Sequence, residues 1–174
     1  MTKSITSRRR MKNLLFICLA GLSLIFSQIS EAGLPKADKV IVIKSKRIML
    51  LLSDGEILRT YRVALGKNPE GRKIMAGDKK TPEGRYTLSK NSNSRFHLSL
   101  RISYPNEADI ERASRLGVLP GGDIMIHGLP EGLAEFGKFH RYYDWTDGCI
   151  AVTNSEIEEI YQMVDDGTPI EIMP

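Results

Sequence analysis

Residues 144–154, DWTDGCIAVTN, place a cysteine after a glycine and directly ahead of an apolar run. The run CIAV (149–152) reads as a short buried strand that begins at Cys149, because Ile and Val suit a pleated surface and Gly148 punctuates its start. A second compact apolar strand, in GGDIMIHG (121–128), ends at His127. The two side chains most able to do covalent chemistry thus stand where a strand meets a loop. Such positions fix a side chain on rigid backbone and leave it accessible.

Outward from these two segments the chain reads mostly as strand. KVIVIKSKRIMLLL (39–52) is rich in β-branched and large apolar residues and is interrupted by a polar KSK. SDGE (53–56) supplies an Asp-Gly hairpin signal, and ILRTYRVAL (57–65) follows, so a β-meander is expected from Val40 to Leu65. Residues 66–84 are dense in Gly, Pro, Asn and Asp, the composition of a long irregular connection. Strands resume at RYTLS (85–89) and FHLSLRISY (96–104). In EADIERASRLG (107–117), Ile110, Ala113 and Leu116 fall at helical spacing ahead of Gly117, which predicts a short helix. SEIEEIYQMV (155–164) pairs Ser155 with Glu158 at capping-box spacing, and Ile157, Ile160, Tyr161 and Val164 make one apolar face. A turn and a last short strand close the chain. The expected fold is mainly β, a β-sandwich or irregular β-barrel with one or two packed helices.

The N-terminus decides the compartment. Lys3, Arg8, Arg9, Arg10 and Lys12 precede LLFICLAGLSLIF (14–26) with no acid among them. That is the charged and then apolar order of a secretory signal, and the run is shorter than the roughly 20 residues of a spanning helix. Residues 1–32 are therefore read as an export signal, cleaved after Ala32 or retained as an anchor, and residues 33–174 as one domain. Export puts the domain in the periplasm or cell envelope, with membrane contact only through the N-terminal segment. The segment also carries the whole formal charge of +4, since the remainder holds twenty basic and twenty acidic residues. No basic stripe remains for nucleic acid.

Cys18 falls in the export segment, so Cys149 is the one thiol of the mature chain. A lone thiol in an oxidising compartment is a buried inert group, an intermolecular bridge or a nucleophile. Sulfur attacks as thiolate, and an ordinary thiol is mostly protonated at neutral pH. A neighbouring imidazole removes that proton and later returns it to a leaving amine, which predicts a thiol more reactive near neutrality than an isolated one. Gly148, without a β-carbon, lets the backbone turn sharply before Cys149 and a substrate carbonyl come close, with the amides of Gly148 and Cys149 as oxyanion donors. By themselves a Cys and a His leave unrelated core roles equally open.

The larger pattern narrows this. IMIHGLP (124–130) followed by TDGCIAVTN (146–154) resembles the catalytic signature of the L,D-transpeptidase, or YkuD-like, family. TPEGRY (81–86) is similar to the family's upstream Thr-Pro element and GTPIEI (167–172) to its closing strand, so the resemblance runs from about Val40 to Pro174. It implies a cysteine enzyme that acts on peptidoglycan stem peptides without metal or organic cofactor. Cys149 would attack the carbonyl of the diamino acid at the third stem position, expel the terminal D-alanine, and hand the acyl group from a thioester to an amine. His127 maps to the family's base and Gly128 to the residue whose carbonyl orients the ring.

Two positions depart from the family pattern: Asp147 stands where His is common, and Ala151 where Arg is common. Arg141, then Arg101, are the basic residues expected to replace that Arg. Asp147, Thr146, Arg141 and Trp145 are the expected substrate contacts. The aromatic-rich loop FGKFHRYYDW (136–145) forms one wall of the groove or is stapled to the core by its rings. A zinc site from His97, His140 and His127 lacks any tight ligand spacing. The alternatives to a transferase are an L,D-carboxypeptidase or amidase-type hydrolase with the same Cys/His pair, and a non-catalytic wall-binding domain.

Overall fold

Alternation decides the first strands. In β1 (Lys39–Ile43) the buried positions are Val40 and Val42, and in β2 (Ile48–Ser53) they are Met49 and Leu51. The two run antiparallel with Val40 opposite Leu51 and Val42 opposite Met49, so the apolar sets meet on one face. Asp54 and Gly55 both take positive φ, 51° and 82°, as a tight hairpin turn requires, and deliver the chain into β3 (Glu56–Arg62). The polar KSK becomes a 3-10 turn, Lys44–Lys46. These assignments come from a computed structural model that describes residues 33–91 and 93–174. The N-terminal segment read above as an export signal lies outside the described residues.

The remaining elements are β4 (Gly84–Asn91), β5 (Ser99–Ile102), helix α1 (Glu107–Arg115), β6 (Met125–His127), a 3-10 segment Ala134–Tyr142, β7 (Ile150–Ala151), helix α2 (Asn154–Met163) and β8 (Pro169–Met173). Their order in the sheet is β3-β2-β1-β8-β4-β5-β6-β7. The two ends then meet. Ala64, just past β3, exchanges both backbone bonds with Ala151 of β7, at 3.0 and 2.9 Å, and Gly66 bridges Thr146. One curled sheet closed in this way is an irregular barrel, within the expected class of β-sandwich or irregular β-barrel. Closure removes the exposed edges that an open sheet would present.

Both helices form where expected, with shifted details. The box at the start of α2 is Thr153 with Glu156, not Ser155 with Glu158, because Thr153 directly follows the β7 region and its hydroxyl and amide reach Glu156. Ile157, Ile160 and Met163 are fully buried beneath the helix. In α1 the spacing of Ile110 and Leu116 misleads: they are 51% and 62% exposed, while Asp109 and Ala113 are buried. Asp109 faces inward because it caps α1, accepts the Tyr86 hydroxyl at 2.9 Å and pairs with Arg112. A buried carboxylate persists when its oxygens are occupied in this way.

The connection 66–83 has no strand or helix to satisfy its backbone, and charges do that work. Lys44 Nζ, almost wholly buried, donates to Gly71 O at 2.7 Å, Thr81 O at 3.0 Å and Glu83 Oε1 at 2.8 Å. Asp78 accepts from the amides of Ile74, Met75 and Lys80 and from Lys73 Nζ. Breaking the Lys44–Glu83 pair from one side strands a buried charge. Glu83→Ala should cost about 3–5 kcal/mol in urea unfolding. The double variant Lys44→Met/Glu83→Leu, which removes both charges, should return most of that stability.

Candidate active site

The pairing of β6 with β7 brings the reactive residues together. These strands run parallel with Ile126 opposite Ile150 and His127 opposite Ala151. Continuing that register sets Cys149 beside Met125, two positions from His127 and on the same side of the pleat. His127, Cys149, Met125, Trp145, Thr146 and Asp147 accordingly line one cleft of about 480 Å³. Asn91, Arg95, Phe96, Arg101 and Asp123 complete its walls.

The turn before Cys149 is fixed by its own hydroxyl. Thr146 Oγ1 donates to Cys149 O at 2.7 Å and accepts from the Gly148 amide at 3.2 Å. Thr146 therefore borders the cleft while its hydroxyl is committed to the backbone. The same bond occupies the Gly148 amide, one of the two expected oxyanion donors. Gly148 has φ +130° and its absent Cβ would sit 2.7 Å from Lys80 O, so the position demands glycine. Asp144 anchors the approach: its Oδ2 takes Arg47 Nε and Nη2, at 3.0 and 2.8 Å, and its Oδ1 takes the Leu65 amide.

His127 is almost completely buried, and its Nδ1–H donates to Gly128 O at 2.6 Å. A carbonyl only accepts, so Nδ1 carries the proton and Nε2 presents the lone pair. Gly128 allows this by close approach, since a Cβ there would lie 2.7 Å from Asn154 Oδ1 and 2.9 Å from Ile157 Cγ2 of α2. Phe96 stacks on the imidazole with centroids 4.1 Å apart, and Trp145 meets it edge-on at 5.8 Å. Burial among these groups pushes the His127 pKa down to about 4, against the raising effect of the Gly128 bond.

The sulfur is shifted the other way. Cys149 is half-buried, and its thiol faces Asp123 O at 3.6 Å. Burial raises its pKa, the Met125 amide opposes by hydrogen-bonding the sulfur, and the carboxylates of Asp123 and Asp147 raise it further. A base pushed down and an acid pushed up rest as neutral imidazole and neutral thiol. These directions favour the neutral pair over a thiolate at rest.

The other expected contacts divide. Trp145 and Asp147 border the cleft, Asp147 largely exposed and paired with Lys67 at 3.3 Å. Arg141 does not border it. Its guanidinium is held by Glu156 of α2, so the cationic groups of the cleft are Arg101, the second choice from sequence, and Arg95, which sequence reasoning missed. Arg101 Nη1 lies 3.3 Å from Asp123. Phe96 and Asp123 were also missed, since neither belongs to a motif and only the sheet register brings them to the sulfur. His97 pairs with Glu158 at 2.6 Å, and His140 accepts the Trp145 indole N–H at 3.4 Å. Among the described residues, no three His, Cys, Asp or Glu side chains converge as metal ligands.

Phe96 keeps water from one face of the imidazole. In Phe96→Ala the His127 pKa should climb from about 4 toward the ordinary value near 6.5. An NMR titration of the ring protons reads this directly, and a pKa unmoved by the substitution would assign the desolvation to other neighbours.

Comparison with known proteins accords with the geometry. Residues 37–172 match the family described as the L,D-transpeptidase catalytic domain, YkuD. The chain is 30% identical over 112 residues to the Escherichia coli (strain K12) protein named "Putative L,D-transpeptidase YafK", covering 63% of this chain and 38% of that one. It is similar to the crystal structure of the helical cell shape determining protein Pgp2 from Campylobacter jejuni, with 26% identity, a TM-score of 0.56, and coverage of 84% of this chain and 52% of that chain. Bd1075 of Bdellovibrio bacteriovorus, at 23% identity, shares the fold with a TM-score of 0.53 over 81% of this chain and 51% of its own. The chain thus spans about half the length of these two structures and 38% of YafK. The family match begins just before β1 and ends within β8, enclosing the whole barrel and the Cys149–His127 cleft: this chain belongs to the YkuD family of L,D-transpeptidase catalytic domains.

Proposed function

We propose that this protein is an exported, cysteine-dependent L,D-transpeptidase that acts on peptidoglycan stem peptides through a thioester. The observation that carries this reading is the single cleft shared by the Cys149 thiol and an imidazole whose Nε2 lone pair is available. Family membership supports a peptidoglycan substrate, and the likeness to Pgp2, named for helical cell shape, supports a part in shaping the wall. The charged and apolar order of residues 1–32 supports export.

The chemistry follows from the neutral pair. As Cys149 Sγ attacks the carbonyl of the third stem residue, its proton passes to His127 Nε2, and Gly128 O steadies the imidazolium that forms. The C–N bond to the terminal D-alanine breaks, and its nitrogen leaves with that proton. An acceptor amine then loses a proton to Nε2 and attacks the thioester, forming the new amide while sulfur regains its hydrogen. Arg95 and Arg101 suit the carboxylates of a stem peptide, and Asp147 at the open rim suits an incoming ammonium group.

Purified stem tetrapeptide, incubated with a second amine, should yield cross-linked dimer and free D-alanine. Shortened monomer alone would make the protein a carboxypeptidase, and neither product would leave a wall-binding domain. Cys149→Ser should lose at least about 10³-fold in kcat/KM, and conversion at a comparable rate would end the thioester scheme.

The pH profile tests the neutral pair. A base is active only while unprotonated, so with the His127 pKa lowered to about 4, kcat/KM should hold from neutrality to about pH 5 and fall as pH drops through about 4. A fall centred near 6.5 would mean an imidazole open to water. Iodoacetamide should label Cys149 slowly at pH 7 and faster only at alkaline pH, since burial raises the thiol pKa.

A further inference from the structure

A second hollow, of about 350 Å³, lies beside the cleft. Its walls include Leu133, Phe136, Phe139, Tyr142, Tyr143 and Trp145, and Trp145 is at the same time a wall of the catalytic cleft. Sequence left two uses for the rings of this loop, stapling to the core or lining a groove. Exposure decides between them. Phe139 is 69% exposed, Tyr142 74% and Tyr143 80%, and no residue of the Ala134–Tyr142 segment is buried. The loop is held instead by Arg141 on Glu156 and by the His140–Trp145 contact. So many rings left in water without a packing role mark a contact surface.

We propose that this hollow seats the sugar that carries the stem peptide, so that the enzyme reads the glycan together with the peptide. The inference rests on the peptidoglycan reading above. The acylated carbonyl belongs to the third stem residue, and that residue with the two before it separates the carbonyl from the saccharide, a reach of roughly 10 Å. A peptide seated at Cys149 therefore has its sugar close by, and the aromatic hollow adjoins that cleft across a single indole. Phe139 and Tyr142 stack at 6.0 Å and 28°, which builds one broad aromatic face. Sugar C–H faces pack on such rings, while the Tyr142 and Tyr143 hydroxyls meet the ring hydroxyls.

Charge separates this occupant from a membrane. Glu131 and Glu135 balance Lys138 and Arg141 along the loop, and Arg141 is already paired. An anionic lipid surface selects a basic excess beside its aromatics, and the hollow has none.

The test compares free stem tetrapeptide with the same peptide on its disaccharide, using the full chain. The disaccharide form should be preferred about tenfold in kcat/KM. Phe139→Ala/Tyr142→Ala should erase that preference while leaving free-peptide turnover within about twofold. Equal use of both substrates by the wild type, or a preference that the double variant keeps, overturns the inference. A kept preference with lost co-sedimentation on phosphatidylglycerol vesicles assigns the hollow to lipid instead. Equilibrium binding to Cys149→Ala reads the hollow without turnover: the disaccharide form should bind about tenfold tighter, an advantage again lost with the two rings. Tighter binding without any turnover by the wild type would sink the transpeptidase reading alone.

Discussion

The parallel contact between β6 and β7 is the constraint on which the rest of the molecule depends. Each strand is only two or three residues long, and a pair that short has little stability of its own. It is held from both sides. Antiparallel β5 fixes β6, and Ala64 fixes β7 by closing the barrel, so neither strand can slip without opening the sheet. A slip of one residue would turn Cys149 or His127 to the opposite face and dissolve the site. The barrel is therefore a device for holding register between residues that lie more than twenty positions apart.

Burial then sets the chemistry of that register. Phe96 and Trp145 exclude water from His127, which keeps the imidazole neutral, and the Gly128 carbonyl chooses its tautomer. The same desolvation keeps the thiol protonated, with Asp123 and Asp147 acting in the same direction. An exposed thiolate is open to oxidation, which a thiol kept protonated by burial resists.

The loops around the site are ordered by charge where regular structure is missing. Lys44 and Glu83 tie the 66–83 connection to the first hairpin, and Lys80 of that connection presses on Gly148. Arg47, in the same turn as Lys44, reaches Asp144 and through it the approach to Cys149. A turn between β1 and β2 thus supports the backbone before Cys149 from two directions. The couplings are electrostatic and short-range, which is why they sit in places that hydrophobic periodicity does not reveal.

Much of this was legible from residues alone. Strand alternation and the Asp-Gly turn located β1 to β3 because both are local signals, and the Gly-Cys and His-Gly pairs marked two segments that border one cleft. The helices were legible in place but not in face: Asp109 is buried because it caps α1 and accepts from Tyr86, a partner twenty-three residues away. The chain by itself determined that most of it forms strands and which family it resembles, since these follow from side-chain type and neighbour spacing. Only the tertiary structure decided how the sheet closes on itself, which cations border the cleft, Arg101 and Arg95 and not Arg141, and the directions in which burial shifts His127 and Cys149. Those outcomes depend on closure, ion pairing and desolvation, which arise between segments that meet only once the sheet has curled.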